Sequence, residues 1–441
     1  MKRLALLALL LWTAFLLTAC PLNPPPPPPP PASPCSPTPT GSLSTQALRE
    51  PQGLGDFSAP HVPGELLVLS GGLAPQSLAA RVQGVEVRRA LEGGFLQVKV
   101  PPGQERAKAE ALLQAGARWV QPNYLYQPLA SPNDPSYFPR QRSQLNGLLG
   151  LESAWNSEKG DPNLIVAVVD TGYLTHIDAS SRWYLPPEET LDLADNDSDP
   201  VDDTPAAKGS SPSSHGLAVA SVIGADTNNG QGMAGVTWFG RLLPLKVARS
   251  SNGWITTTAV ASAVIKAADL GAKVINLSLG GGGFDAVLEN ALAYARGKGA
   301  TLVAAVGNDG VDGVLYPASS PRVIAVGAVD NDRRKASFSN CGPEVDLVAP
   351  GVGVVVLAPN NALAQASGTS FAAPMVSGVV ALYMSRYQRL YGTYPTPDQV
   401  YQCLVQTAED LGPSGRDTGY GFGLVRADRV MTDPTYCFPF P

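Results

Sequence analysis

The sequence predicts an α/β protein with a mostly parallel sheet, preceded by a small α+β unit. Three observations predict it. From about residue 133 to the end, short near-continuous apolar runs alternate with helical stretches, the pattern of buried parallel strands covered by helices on both faces. Between about 61 and 129 the order reads strand, helix, strand, strand, helix, strand, a ferredoxin-like split βαβ arrangement. Ahead of both lies a leader with neither periodicity.

The leader reads first. Lys2 and Arg3 precede an apolar run from Leu4 to Ala19, which makes residues 1–20 a signal peptide too short for a stable membrane span. The run ends Leu17-Thr18-Ala19-Cys20. This resembles a bacterial lipobox, which implies membrane attachment through a lipidated Cys20. The other reading is a plain secretory signal with a chance cysteine. Residues 21–60 are a linker, with proline unbroken from Pro24 to Pro31, expected as a stiff polyproline II spacer of about 3.1 Å per residue.

In the small unit, strands are expected at 65–69, 85–89, 95–100 and 119–126, with helices at 75–82 and 105–114. In the large unit, 133–441, the apolar runs 164–169, 242–247, 274–278, 302–306 and 323–326 read as strands. Helices are expected at 215–224, 256–270, 285–298, 370–387 and 397–407. Chemistry in such sheets gathers at the carboxyl ends of strands.

Composition narrows the function. The 441 residues carry a formal net charge of −6 and no basic stripe, so no nucleic-acid partner is expected. No CxxC or Cys/His spacing suggests zinc. Setting Cys20 aside leaves Cys35, Cys341, Cys403 and Cys437, which allow three pairings. A Cys403–Cys437 bridge would tie the C-terminal tail to the body.

The chain has three histidines, His61, His176 and His215, so an imidazole base must be one of them. His215 opens a helix of small residues after Ser213-Ser214. Asp170 ends the apolar run 164–169, where a half-desolvated carboxylate can hold an imidazole in one tautomer. Ser370 sits in Gly368-Thr369-Ser370-Phe371-Ala372-Ala373-Pro374, at a helix start with Pro374 near the first turn. Asn308 follows the run 302–306 in Gly307-Asn308-Asp309-Gly310, where its amide can donate to a developing oxyanion. Each alone has an ordinary structural reading: a turn aspartate, a helix-start histidine, a serine cap, a turn asparagine.

Together, Val168-Val169-Asp170-Thr171-Gly172, Ser214-His215-Gly216, Ala305-Val306-Gly307-Asn308 and the Ser370 segment resemble the signature blocks of the subtilisin family. The resemblance implies a three-layer α/β/α subtilisin-like domain and a secreted serine endopeptidase acting on protein or peptide substrates. It implies Ser370 as nucleophile, His215 as base then acid, Asp170 as its orienter, and Asn308 with the Ser370 N–H as oxyanion hole. It implies that extended substrate adds as a strand to Ser278, Leu279 and Gly280. The small unit resembles the family's inhibitory propeptide, cut off by the enzyme itself between about Gln127 and Asp134.

A structural calcium ion is implied too, held by Asp178 and Asn229 with the carbonyls of Thr227, Gln231 and Met233. Asp195, Asp197, Asp199, Asp202 and Asp203 form a second acidic cluster, with Pro200 where an EF-hand loop needs glycine; a solvated acidic loop is expected there. Asp309 is either a pocket acid admitting basic side chains or an exposed turn acid. Ala218 replaces the second histidine of the family's His-Gly-Thr-His block.

Two rival readings remain open: an inactive subtilisin-like peptide-binding or surface interaction protein, and a nucleotide-binding α/β protein using the glycines at 280–283. The absence of a P-loop or GxGxxG after the first strand counts against the latter.

Overall fold

The computed structural model describes residues 53–57, 61–125 and 130–439, in two units. The signal peptide, Cys20, Cys35, most of the proline-rich linker and most of the predicted cleavage segment lie outside the described residues.

In the first unit the strands are β1 (Gly53–Leu54), β2 (His61–Leu69), β3 (Glu86–Ala90), β4 (Phe95–Lys99) and β5 (Trp119–Tyr124). The helices are α1 (Pro75–Arg81) and α2 (Glu105–Gln114). The sheet order is β1-β5-β2-β4-β3, antiparallel except for the β1–β5 edge pair. Alternation puts Leu66 and Val68 of β2, Leu96 and Val98 of β4 and Val120 of β5 on one face. Leu78 of α1 and Ala109 and Leu112 of α2 close that face.

The second unit runs in order through α3 (Leu151–Ser157), β6 (Ile165–Asp170), α4 (Pro205–Lys208), α5 (His215–Gly224), β7 (Arg241–Lys246) and α6 (Thr257–Asp269). It continues with β8 (Val274–Leu277), α7 (Ala286–Gly297), β9 (Thr301–Ala305), β10 (Val323–Val329) and β11 (Leu347–Pro350). The hairpin β12 (Val354–Ala358) and β13 (Ala362–Ala366) and helices α8 (Thr369–Tyr391), α9 (Pro397–Thr407) and α10 (Ala427–Thr432) complete it. The main sheet has the order β11-β10-β9-β8-β6-β7, every pair parallel. Its apolar strands bury both faces. Val166 and Val168 point into the core shared with α5 and α8, Ala167 and Val169 into the one shared with α6 and α7.

The chain leaves β6 for β7 on one side and then returns to β8 on the other, so strand order reverses between β6 and β8. Open α/β sheets place their ligand crevice at such a switch point, and here the tips of β6 and β8 carry Asp170 and Ser278.

Several expectations shift. β11 and the β12–β13 hairpin were not foreseen. Pro374 lies in the second turn of α8, not the first, because the helix begins at Thr369. Cys403 and Cys437 form a disulfide. Among the described residues no helix is long and apolar enough to cross a membrane.

Candidate active site

Asp170 is the last residue of β6 and only 2 % exposed. Its Oδ1 accepts the N–H of Thr171 at 2.7 Å and stands 2.8 Å from Nδ1 of His215, while Oδ2 is buried with no hydrogen-bond partner. His215 is the first residue of α5. Ser214 caps the helix by accepting the Leu217 N–H. The two segments touch through glycine: a Cβ on Gly216 would lie 2.0 Å from the carbonyl oxygen of Gly172, so no other residue fits there.

The His215 side chain is 38 % exposed, so its free edge reaches solvent. Desolvation opposes protonation. The charge and hydrogen bond of Asp170, with the charge of Asp202, outweigh it and raise the imidazole pKa above its ordinary value. The other histidines do not compete. His61 belongs to the first unit. His176 is buried, bonded to the Ala362 carbonyl and the Asp178 N–H.

Ser370 lies in the first turn of α8. Its ring neighbour Phe371 packs on His215, with centroids 5.8 Å apart. The Ser370 hydroxyl donates to the Ser278 carbonyl at 3.3 Å, so the expected row is hydrogen-bonded between His215 and Asp170 but not between Ser370 and His215. Apo sites commonly hold such bonds open.

Pro374 explains the next contact. Lacking an N–H, it leaves the carbonyl four residues back without a helical donor. That carbonyl belongs to Ser370, and the buried Ser278 hydroxyl donates to it at 2.8 Å. Ser278 in turn accepts from Asn276 Nδ2 at 2.9 Å, and Asn276 Oδ1 accepts from Ser377 at 2.8 Å. Sequence reasoning missed Asn276 and Ser377. Asn276 was the visible signal, a polar residue inside an apolar strand that must find partners.

Asn308, beyond β9, uses Oδ1 to accept the N–H and hydroxyl of Thr369 at 2.8 and 2.9 Å. Its amide N–H groups remain as the donors the site can offer. The Ser370 N–H, one residue on from Thr369, belongs to the helix turn whose N–H groups have no intrahelical acceptor. These four predicted residues therefore gather where the tips of β6 and β9 meet the starts of α5 and α8.

The predicted substrate contacts separate. Leu279 and Gly280 line a cavity of about 210 Å³ with Ile255, Leu288 and Tyr316. Ser278 instead turns its side chain inward. Asp309 is exposed and outside that cavity, its N–H bonded to Asn340 Oδ1.

Of the predicted metal residues, Asp178, Asn229 and Met233 come together, while Thr227 bonds the Ala225 carbonyl and Gln231 bonds Asn229. Asp178 is wholly buried, and its carboxylate accepts Asn229 Nδ2 at 2.8 Å and the Met233 N–H at 2.7 Å. Burial pushes its pKa up to about 6. Asp134, not foreseen, is buried on a separate segment and accepts the N–H groups of Asn228 and Asn229; burial raises its pKa as well. Among the described residues no three acidic, His or Cys side chains converge on a metal position. The acidic side chains here are Asp134 and Asp178, two buried carboxylates from separate segments that both bond the 227–233 stretch, and carboxylate oxygens are the donors a hard cation takes.

The second acidic cluster meets its expectation in part. Asp195, Asp197 and Asp199 are exposed, as a solvated loop would be, whereas Asp202 is 3 % exposed and the fully buried Lys246 draws Asp195 and Asp203, with Asp192, around its ammonium.

Comparison with known proteins identifies the family. The model of the subtilase family matches residues 161–423. A thermophilic serine proteinase of Bacillus sp. strain AK1 is 39 % identical over 315 residues, covering 71 % of this chain and 72 % of the relative. The halolysin-like extracellular serine protease Nep of Natrialba magadii is 34 % identical over 77 % of this chain, which spans 61 % of that longer protein. The crystal structure of fervidolysin from Fervidobacterium pennivorans, a keratinolytic enzyme related to subtilisin, matches with a TM-score of 0.56 at 27 % identity, over 86 % of this chain and 63 % of fervidolysin.

Proposed function

This chain belongs to the subtilase family of serine peptidases, and from that premise we propose that it is a secreted endopeptidase working through Ser370, His215 and Asp170. The observation that carries the reading is the 2.8 Å bond between His215 and buried Asp170, beside the helix turn that bears Ser370.

The Ser370 hydroxyl swings from the Ser278 carbonyl to His215 Nε2. As Oγ bonds to the scissile carbonyl carbon, its proton passes to Nε2, and Asp170 stabilises the imidazolium. The carbonyl oxygen becomes an oxyanion facing Asn308 Nδ2 and the Ser370 N–H. Collapse breaks the C–N bond, the imidazolium protonates the leaving amine, and water then hydrolyses the acyl-enzyme by the same steps in reverse. Substrate would lie along residues 278–280, with an apolar side chain in the Leu279 cavity.

The first unit is proposed as the inhibitory propeptide of a self-processed zymogen, cut between about Gln127 and Asp134. A lipid on Cys20 would then tether that unit alone. Calcium would be held by Asp178, Asn229 and the carbonyls of Thr227, Gln231 and Met233, with Asp134 adding charge. When bound it would supply rigidity to the 227–233 loop.

Labelling with a fluorophosphonate tests the reading. One adduct is expected, on Ser370, together with cleavage near residue 130 seen by mass spectrometry. Ser370→Ala is expected to lose both. Continued self-cleavage in that variant would sink the proposal.

A further inference from the structure

Asp202 lies in the loop between β6 and α4, outside the segments that carry the proposed triad, yet its carboxylate grips two of them. Oδ2 accepts the Thr171 hydroxyl at 2.6 Å and the Ser214 hydroxyl at 2.7 Å. Oδ1 accepts the Thr204 hydroxyl at 2.7 Å and N–H at 3.2 Å. Thr171 is the residue after Asp170, and Ser214 is the residue before His215. The Thr171 hydroxyl also accepts the Gly216 N–H at 3.0 Å, closing a ring of bonds around the His215 backbone. Each partner of Oδ2 is thus the chain neighbour of a proposed triad member.

The loop is fixed at its other end. Lys246 sits in ladder register beside Asp170, and its ammonium bonds Asp192 at 2.6 Å, Asp195 at 3.0 Å and Asp203 at 3.2 Å. Asp203 adjoins Asp202, so this buried lysine anchors the residue next to the grip. Lys246 balances charge for that cluster. Asp202 itself bonds only hydroxyls and N–H groups and forms no ion pair among the described residues. A buried carboxylate without a cation acts at longer range than a paired one. Among the described residues, Asp170 and Asp202 are the charged groups that favour imidazolium at His215.

We propose that Asp202 is a positioning residue for the His215–Asp170 pair, clamping Thr171 and Ser214 together and lending negative charge to the imidazolium formed during catalysis. The inference rests on the triad proposed above.

The test uses the full chain. Asp202→Asn keeps the shape and an acceptor but removes the charge. It is expected to lower kcat about tenfold with KM within about twofold, and to move the acid limb of kcat/KM to lower pH. In the Ser370→Ala background, NMR titration of His215 is expected to shift down in the same direction. Asp202→Glu keeps the charge but displaces the carboxylate, and is expected to lower kcat while leaving the acid limb in place. A wild-type kcat and unmoved His215 titration in Asp202→Asn would overturn the proposal. So would a wild-type kcat in Asp202→Glu, or failure of both variants to fold, which would make Asp202 a folding residue only. The titration needs no turnover, so it separates this proposal from the triad reading, which falls if wild-type protein takes no fluorophosphonate at Ser370.

Discussion

Ser278 and Ser370 are joined twice: the Ser278 hydroxyl donates to the Ser370 carbonyl at 2.8 Å, and the Ser370 hydroxyl donates to the Ser278 carbonyl at 3.3 Å. The first bond satisfies a carbonyl that Pro374 orphans and fixes the start of α8 to the tip of β8. The second holds the hydroxyl of the proposed nucleophile on the Ser278 carbonyl.

Ser278→Ala removes the first bond and leaves the second. One hydrogen bond is worth about 1 kcal/mol net, so kcat is expected to fall roughly five- to tenfold with KM little changed. Steady-state kinetics on a peptide amide checks it; a shift in KM alone would place Ser278 in substrate binding instead.

Asn308→Asp keeps the acceptor that holds Thr369 and removes the amide donors. kcat is expected to fall about 10²- to 10³-fold, a magnitude carried over from the same kind of donor in subtilisin. Fluorophosphonate labelling should persist more slowly, and melting temperature should change little. A variant that melts early would point to loss of the Thr369 anchor.

The raised pKa of His215 sets the pH profile. The imidazole must be neutral to take the Ser370 proton, so kcat/KM is expected to rise with pH through a midpoint above 6.5, the ordinary imidazole value. Asp170→Asn removes the main raising charge and should move that midpoint down while cutting kcat by about 10⁴. The same interaction stabilises the fold below the ordinary value and fades as pH rises through the raised one. The stability gap between wild type and Asp170→Asn should therefore narrow in that window. A profile without an acid limb would remove His215 as base.

Without calcium, Asp178 is a carboxyl whose pKa burial has moved from 3.8 to about 6. A raised carboxyl makes the chelated fold lose stability as pH climbs through that interval. Added calcium should favour the ionised form and restore melting temperature at neutral pH. Asp178→Ala is expected to abolish the calcium response, read by calorimetry with and without chelator.

Much of the site was legible because its parts sit at element ends. Asp170 closes an apolar run, His215 follows a serine cap, and Ser370 precedes a small-residue helix. What stayed hidden depends on packing between distant segments. The bond from the Ser278 hydroxyl to Ser370 exists only once α8 packs on the tip of β8. Asp202 and Lys246 carry no local pattern, and Asp134 looks like any residue of an Asn-Asp-Pro turn. The β12–β13 hairpin was a readable signal left unread. Asn360 and Asn361, both at positive φ, make the tight turn between two strands.

Gly216 meets the Gly172 carbonyl with no room for even a methyl group. The spacing between the stretch that ends in Asp170 and the one that opens with His215 is therefore a matter of backbone jammed on backbone, settled before any proton is exchanged.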